Sequence, residues 1–267
     1  MGAERGRYCA FCGGKPVTKE HVWPGWLTEV LRGPFVQNQL QTRVSTPEGD
    51  TLKAWNTDRL DVTAKQFCKG CNSGWMGRLE ESAKPILKPM ILAQGLPLSL
   101  GPSEQEVLAR WAYKTALAAD FHIRGISTNP GDGIPSSRYK QFFKSGLPQR
   151  QSLRIWTIPL AETEYAVWGS RTVHEFEFKP IRLGNKTIPA TRSSLYVTTL
   201  AIGFVVFQIC GQLRGIKPVP FFDGAQVPAL LQLFPRVADN VTWPAVGMAG
   251  LRKDQLRIFS DRRDFLG

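Results

Sequence analysis

Two Cys-x-x-Cys motifs, Cys9/Cys12 and Cys68/Cys71, constrain the fold of this chain more than any other feature. Zinc prefers four soft ligands in a tetrahedron, and two such turns present four thiolates with little strain. The entropy of closing the long intervening loop grows only slowly with its length. We therefore predict a structural Zn²⁺ site, with a redox dithiol as the competing interpretation. Four thiolates leave no open coordination position, so any chemistry needs a second centre.

The whole-chain composition indicates a globular protein with a polyanionic partner. The 267 residues suffice for one large domain or two modest ones. Net charge is +12, from 34 Lys+Arg against 22 Asp+Glu, which suits a nucleic acid. No apolar run approaches the roughly 18 residues needed to span a bilayer, and the N-terminus has no secretory signal. We expect a cytoplasmic protein without membrane contact, in which the fifth cysteine, Cys210, is a small buried hydrophobe.

Charge is concentrated in the segment RYKQFFKSGLPQRQSLR, which holds five basic residues and no acidic one. Aromatic residues alternate with the cations, and that combination suits phosphate contact with base stacking. The alternative is a solvated basic face whose rings anchor it to the core. The candidate nucleic-acid-binding residues are Arg138, Lys140, Lys144, Arg150 and Arg154.

Sequence patterns in the first third of the chain predict short strands and helices around the cysteines. A strand is expected over residues 17–22, ending at the Glu20-His21 pair, and a brief helix over 26–31. Residues 51–67 suit one or two short strands. A helix is expected from Asn72 to Ala83, ended or broken by two prolines, Pro85 and Pro89. The segment GLPLSLGPSEQ, residues 95–105, resembles a linker.

The remaining residues predict one long helix and an antiparallel sheet. Ser103 and Glu106 fit a capping box for a helix that runs to about His122. Strand-like runs at residues 152–158, 164–169, 172–178, 194–200 and 202–210 are spaced as in an antiparallel sheet. Near the end, VPALLQLFP suits a short helix, and LRKDQLRIF suits either a helix or a strand.

The ordered combination Cys9-x-x-Cys12, Glu20-His21-Val22-x-Pro24 and Cys68-x-x-Cys71-Asn72 resembles the HNH endonucleases. The resemblance covers residues 9 to about 84. It implies an α+β fold with a zinc-stapled ββα-metal, treble-clef-like nuclease domain over residues 1–95. Residues 96–267 would then form a basic domain with a helix and an antiparallel sheet, which recognises the substrate.

The resemblance also implies roles for three side chains. His21 would be the general base that activates water, because imidazole can hold a proton near neutral pH. Glu20 and Asn72 would bind a catalytic Mg²⁺ or Mn²⁺ through oxygen atoms. The family commonly has Asp where this chain has Glu20. Because neighbours in a strand point to opposite faces, Glu20 and His21 reach one phosphate only where the strand ends or bulges.

The middle residue of the motif is not placed uniquely by the pattern. Asn56 is our choice, since it precedes the second cysteine pair within a strand region. Asn38 and Asp58 are the alternatives.

The leading hypothesis is therefore a metal-dependent DNA endonuclease or nickase, which would suit restriction or phage defence. Double-stranded DNA is the expected substrate, and cutting both strands with one small centre would favour a homodimer. The second hypothesis is a non-catalytic, zinc-stabilised nucleic-acid-binding protein. The third is a protein-interaction domain that zinc only stabilises.

Overall fold

The protein is a mixed α+β structure with antiparallel sheets, in agreement with the predicted α+β class, while the ββα-metal core stays a prediction. The computed structural model describes residues 8–15, 17–35, 40–45, 51–57, 60, 62–92, 97–124, 133–148, 150–162, 166–178, 180–183, 186–188, 191–214, 230–236, 238–244 and 250–261. All strand pairs in its sheets are antiparallel within these ranges. No helix in the same ranges is long and apolar enough to cross a membrane.

The N-terminal third builds two small sheets that are separate from one another. The predicted strand before Pro24 pairs with the strand that leads into the second cysteine pair, and the predicted short helix follows Pro24. Two further strands, which lie in the chain between this helix and the second strand of that pair, pair with one another. The elements are β1 (Val17–His21), α1 (Gly25–Leu31), β2 (Leu40–Ser45), β3 (Thr51–Thr57) and β4 (Thr63–Cys68), with sheets β1–β4 and β2–β3.

Strand β4 runs directly into a helical segment that is longer than predicted. It consists of the single turn α2 (Lys69–Cys71), a π-helical stretch (Asn72–Met76) that kinks at Gly74 (φ −88°, ψ −110°), and α3 (Gly77–Leu92). The expectation that prolines end this helix near Ala83 is wrong. Pro85 is exposed and Pro89 half-buried, so the helix loses hydrogen bonds mainly on its solvent side. The apolar face continues past both prolines, with Leu79, Ala83, Leu87, Met90 and Ile91 buried.

Helix α4 (Pro102–Arg124) is the central element of the fold. Every residue from 111 to 120 is buried, as expected for a helix covered on all sides. The predicted capping box does not form, because the helix begins at Pro102, two residues earlier than an N-cap at Ser103 would place it. Ser103 lies inside the first turn, where its Oγ donates to Oε2 of Glu104 at 3.0 Å.

The second half of the chain forms a five-stranded antiparallel sheet in the order β12-β6-β11-β10-β7. The two strand-like runs at 164–169 and 172–178 are one continuous strand. The helix expected in VPALLQLFP is wrong, because Leu231–Phe234 pairs with the open edge of β6 instead. The strands are β6 (Leu153–Pro159), β7 (Val167–Phe178), β10 (Thr191–Ile202), β11 (Val205–Arg214) and β12 (Leu231–Phe234).

Four short strands and two further helices complete the described fold. Strands β5 and β13 pair with one another, as do β8 and β9. The ambiguous segment LRKDQLRIF is mostly helical. The elements are β5 (Leu98–Leu100), α5 (Ser136–Ser145), β8 (Ile181–Leu183), β9 (Lys186–Ile188), β13 (Val241–Trp243) and α6 (Lys253–Asp261).

Both faces of the large sheet are covered. Trp111 of α4 packs on Phe207 of β11, with ring centroids 5.8 Å apart. On the opposite face, Gln208 Nε2 donates to the Phe259 carbonyl of α6 at 2.7 Å. Because both faces are covered, β11 reads as a nearly unbroken apolar run.

Helix α4 also links the sheet to the cysteine-bearing unit, since Phe121 contacts Phe67 of β4 at 5.7 Å. One hydrophobic core therefore includes residues from both predicted domains. The predicted boundary falls at residues 93–96, outside the described ranges, and the division at 95/96 stays a prediction.

Candidate metal centre

The first cysteine pair lies in a tight loop that precedes β1. The Cys9 N–H donates to the Gly14 carbonyl and the Gly13 N–H to the Cys9 carbonyl, both at 2.8 Å. Gly13 has φ 76°, a left-handed conformation that favours glycine. The Gly14 N–H lies 3.3 Å from Sγ of Cys12. The loop thus wraps backbone donors around a sulfur atom, as a metal-bound thiolate requires.

The second pair joins the end of β4 to the first helical turn. Cys68 is the last residue of β4 and stands opposite Val17 of β1, while Cys71 closes α2. The Ala10 N–H donates to the Gln66 carbonyl at 2.9 Å and so ties the first loop to β4. This strand pairing brings two distant motifs to one end of the β1–β4 sheet.

The four sulfur atoms converge there. All lie within 4.8 Å of one another, and Sγ of Cys12 and of Cys68 are 3.5 Å apart. Tetrahedral Zn²⁺ with Zn–S bonds of about 2.3 Å places sulfurs about 3.8 Å apart. The cysteines form no disulfide; three are buried and Cys12 is exposed. The predicted ligands therefore form one cluster that can hold a metal ion, and the donor set fits structural Zn²⁺.

The protein surroundings affect the thiols unequally. Burial raises the pKa of Cys71 well above its usual range and also raises that of Cys12. Burial acts the same way on Cys9, but hydrogen bonds from backbone N–H groups outweigh it and lower the Cys9 pKa. A thiol must lose its proton to bind metal, so backbone donors favour the ligand form at Cys9.

Trp75 provides a further test of the metal fit. Its Nε1 is buried and has no hydrogen bond of normal geometry to any described residue. The indole N–H opposes the effect of burial on the Cys71 pKa, as a donor close to the sulfur would. A metal-bound thiolate is a suitable acceptor for such an N–H. The ring packs edge-on against Phe11 at 5.0 Å, inside the first cysteine loop.

His21 lies at the other end of the same strand. It is half-buried and stands opposite Thr63 of β4. His21 lies four positions after Val17, or about 13 Å along the strand. The imidazole is therefore distant from the cysteine end. No described side chain forms a hydrogen bond with it, which leaves its predicted role as a base untested.

Strand β1 ends at His21, and its pairing with β4 is irregular just before Glu20. The register of β1 against β4 shifts between Thr18 and Glu20, and Glu20 pairs with Ala64. Lys19 thus faces two residues of β4, Lys65 and Gln66, and the bulge is on β4. The Glu20 side chain lies outside what the structure describes.

The two predicted amide residues lie in different elements, Asn72 in the helical segment after β4 and Asn56 in strand β3. Asn72 is half-buried in the π-helical stretch, where its carbonyl accepts the Gly77 N–H. Helical backbone already begins at Lys69, so Asn72 does not cap the helix. Asn56 is exposed in β3, opposite Gln41. No hydrogen bond among the described residues joins Asn56, Asn72 and His21, and their roles stay predictions. The alternatives Asn38 and Asp58 lie outside the described residues.

The aromatic residues of the basic segment lie in two different environments. Tyr139 and Phe142 of α5 are buried against Phe11, whereas Phe143 is 41% exposed. Two aromatic residues therefore anchor the segment to the core, and one remains accessible.

Its five cations differ in their surroundings. Arg138 donates to Oε1 of Gln141 at 3.2 Å, and Arg154 donates to the carbonyls of Arg150 and Leu153. Lys140 is exposed on α5. Two of the five predicted residues, Lys144 and Arg150, line a cleft of about 740 Å³.

The same cleft includes Arg110 and Arg236, which the sequence did not single out. They belong to α4 and to the turn after β12, so no local pattern could connect them with α5.

Comparison with known proteins provides no family for this chain. No protein-family model matches it, and neither a curated protein nor a solved structure is significantly similar to it.

Proposed function

We propose that this protein is a metal-dependent endonuclease or nickase that hydrolyses phosphodiester bonds in DNA. The observation that carries the proposal is the cysteine cluster at one end of β1–β4, with helices following directly and His21 at the other end of β1. That order of elements supports the resemblance to HNH endonucleases. The net charge of +12 supports a polyanionic substrate.

The two ends of β1 would perform different tasks. Four thiolates around Zn²⁺ form a closed site, so the cysteine end is structural. At the other end, His21 would take a proton from a water molecule as its oxygen bonds to phosphorus. The P–O bond to the leaving oxygen then breaks, and solvent protonates that oxygen. A Mg²⁺ or Mn²⁺ ion held by Glu20 at this end would stabilise the negative charge in this reaction, whereas Asn72, the residue after Cys71, lies at the cysteine end.

Plasmid cleavage by zinc-loaded wild type and His21→Ala tests the proposal. Reactions contain Mg²⁺, Mn²⁺ or no added divalent metal, because a chelator would also compete for the structural zinc. Removing a general base should slow cleavage by about 10²–10⁴-fold. His174→Ala is the matched control, since His174 is also half-buried but lies in β7, far along the chain from the cysteine unit. It should retain wild-type cleavage.

Each hypothesis predicts a different result. Wild type that cuts neither modified nor unmodified DNA with any metal would rule out the nuclease. Equal cleavage by wild type and His21→Ala would show that the base is assigned wrongly. Salt-dependent DNA binding without cleavage, indifferent to His21, would favour the non-catalytic binding protein. Weak DNA binding that depends little on salt concentration would favour a protein-interaction domain.

A further inference from the structure

A cleft of about 740 Å³ lies where the first half of α4, the end of α5 and the end of β12 meet. Its volume falls within the range of small-ligand sites, roughly 300–1,000 Å³. Trp75 forms part of its wall and connects it to the cysteine cluster. The cleft is therefore a neighbour of the candidate metal centre but shares none of its ligands.

The cleft is strongly cationic. Its lining contains four basic residues and one carboxylate, that of Glu106, which lies 3.6 Å from Arg110 in an exposed pair. Lys144 and Arg150 form no ion pair with any described residue. The Nε atom of Arg110 is buried and also lacks an acceptor among the described residues. These donors favour an anionic ligand with several oxygen atoms, such as the phosphates of a nucleic acid.

An aromatic side chain stands beside these cations. Phe143 is one of three large hydrophobic residues that are exposed in the described chain, together with Tyr8 and Ile258, and it alone lines the cleft. Its ring lies 6.3 Å from that of Trp75. An accessible ring next to phosphate-binding donors suits stacking with a base, a contact worth a substantial part of single-strand affinity.

We propose that this cleft binds an unpaired segment of nucleic acid, with the phosphates on Arg110, Lys144, Arg150 and Arg236 and a base stacked on Phe143. Bases inside a duplex already stack on their neighbours, so an aromatic side chain reaches a base only in a single strand or a flipped nucleotide. The proposal deepens the proposed nuclease function by naming where the substrate strand binds. The choice of a nucleic acid as the ligand rests on that function, whereas the location of the binding site does not.

Binding without cleavage separates the two proposals. The probe is a fluorescent single-stranded DNA of about 12 nucleotides, a typical site size, titrated with the full zinc-loaded chain without Mg²⁺ or Mn²⁺. Lys144→Ala and Arg150→Ala should each weaken binding. Each should also make the negative slope of log K against log[salt] shallower by about 0.7, because one phosphate contact is lost. Phe143→Ala should weaken binding about tenfold without changing that slope.

The control variant is Lys88→Ala. Lys88 is exposed on α3 and does not line the cleft. The substitution removes the same charge and should leave affinity near that of wild type. The same sequence as a duplex should compete more weakly than the single strand. Thermal melting of each variant verifies that the fold is intact.

Three results would overturn the cleft proposal. The first is an equal loss of affinity in Lys88→Ala and Lys144→Ala, and the second is tighter binding of the duplex with Phe143→Ala unaffected. The third is displacement of the probe by adenosine monophosphate at equal nucleotide concentration. Plasmid cleavage by wild type, together with unchanged DNA binding by the cleft variants, would overturn the cleft proposal and leave the nuclease proposal standing. Cleft-dependent binding with no cleavage in any metal would support the cleft and overturn the nuclease.

Discussion

Phe11, inside the first Cys-x-x-Cys loop, stacks on Phe67, the residue just before the second pair, with ring centroids 4.8 Å apart and planes 20° apart. Both rings are almost completely buried. Phe11 also contacts Tyr139 of α5 at 5.8 Å. The rings next to the cysteine cluster therefore belong to the main core, so a metal ion bound by the cluster would stabilise that core.

Removing one ligand should release the metal and destabilise the fold. Cys71 is 3% exposed, and Cys71→Ser replaces a thiolate by a hydroxyl that zinc binds poorly. Elemental analysis should show loss of zinc, and the melting temperature should fall by about 10 °C or more. Cys210→Ala, a buried cysteine in β11 outside the cluster, should keep the zinc content of wild type. Unchanged zinc content in Cys71→Ser would contradict the assigned ligands.

Truncating Phe11 should cost stability even though Phe11 binds no metal. Phe11→Ala removes a buried ring and leaves a cavity, which typically costs about 3–5 kcal/mol in the free energy of unfolding. Urea denaturation of the zinc-loaded protein measures this loss. Tyr8→Ala is the control, because Tyr8 is 59% exposed and a surface substitution should change stability by no more than about 0.5 kcal/mol. Equal stability of the two variants would show that the first loop is not packed into the core.

Losing the charge of Asp120 should be strongly destabilising. Its carboxylate is fully buried, pairs with the buried Arg171 of β7, and accepts the Tyr139 hydroxyl at 2.6 Å. Asp120→Asn leaves a buried guanidinium without its anion, which costs about 3–5 kcal/mol in urea denaturation. Asp239→Asn breaks an exposed pair with Arg236 and should cost no more than about 1 kcal/mol.

A double variant distinguishes the charge effect from simple loss of packing. Asp120→Asn combined with Arg171→Met removes the unpaired cation and should recover part of the stability. Adding Arg171→Met could instead lower the stability of Asp120→Asn by as much as an ordinary core substitution does. In that case the unpaired cation is not the cause of the stability lost in Asp120→Asn.

Tyr113 should make stability depend on alkaline pH. It is fully buried, and burial raises the pKa of its hydroxyl to about 12 from an ordinary value of 10. The folded state therefore holds the proton more tightly. This contribution is complete below pH 10 and is lost as the pH rises through 12. At pH 11 the loss amounts to about 1.4 kcal/mol.

The free energy of unfolding of Tyr113→Phe should fall less steeply between pH 9 and 11 than that of wild type. Urea denaturation at several pH values measures both curves. Comparing slopes separates this effect from the loss of the hydrogen bond between Tyr113 and Tyr196, which shifts the whole curve. Parallel curves for the two proteins would show that Tyr113 does not titrate differently in the folded and unfolded states.

Much of the local structure followed from sequence because local rules and tertiary context agree there. Strand β11, for example, is a long and mostly apolar run, as a sheet that is covered on both faces requires. Where the two disagree, tertiary context prevailed. Pro85 and Pro89 interrupt hydrogen bonds on the outer side of α3, while the buried side keeps the helix intact. Residues 231–234 have helix-forming leucines but complete the hydrogen bonds of an open sheet edge.

The sequence by itself determined the four cysteine ligands, because the spacing within each Cys-x-x-Cys turn fixes how two sulfurs face one ion. It also determined the basic charge and the α+β class. Only the tertiary structure decided what surrounds those ligands. The β1–β4 register places His21 at the far end of the strand from the cysteines. The packing of α4, α5 and β12 brings Arg110 and Arg236 to Lys144, although the chain separates them by many residues. Short-range patterns record turns and periodicity, whereas contacts between distant segments depend on how the whole core packs.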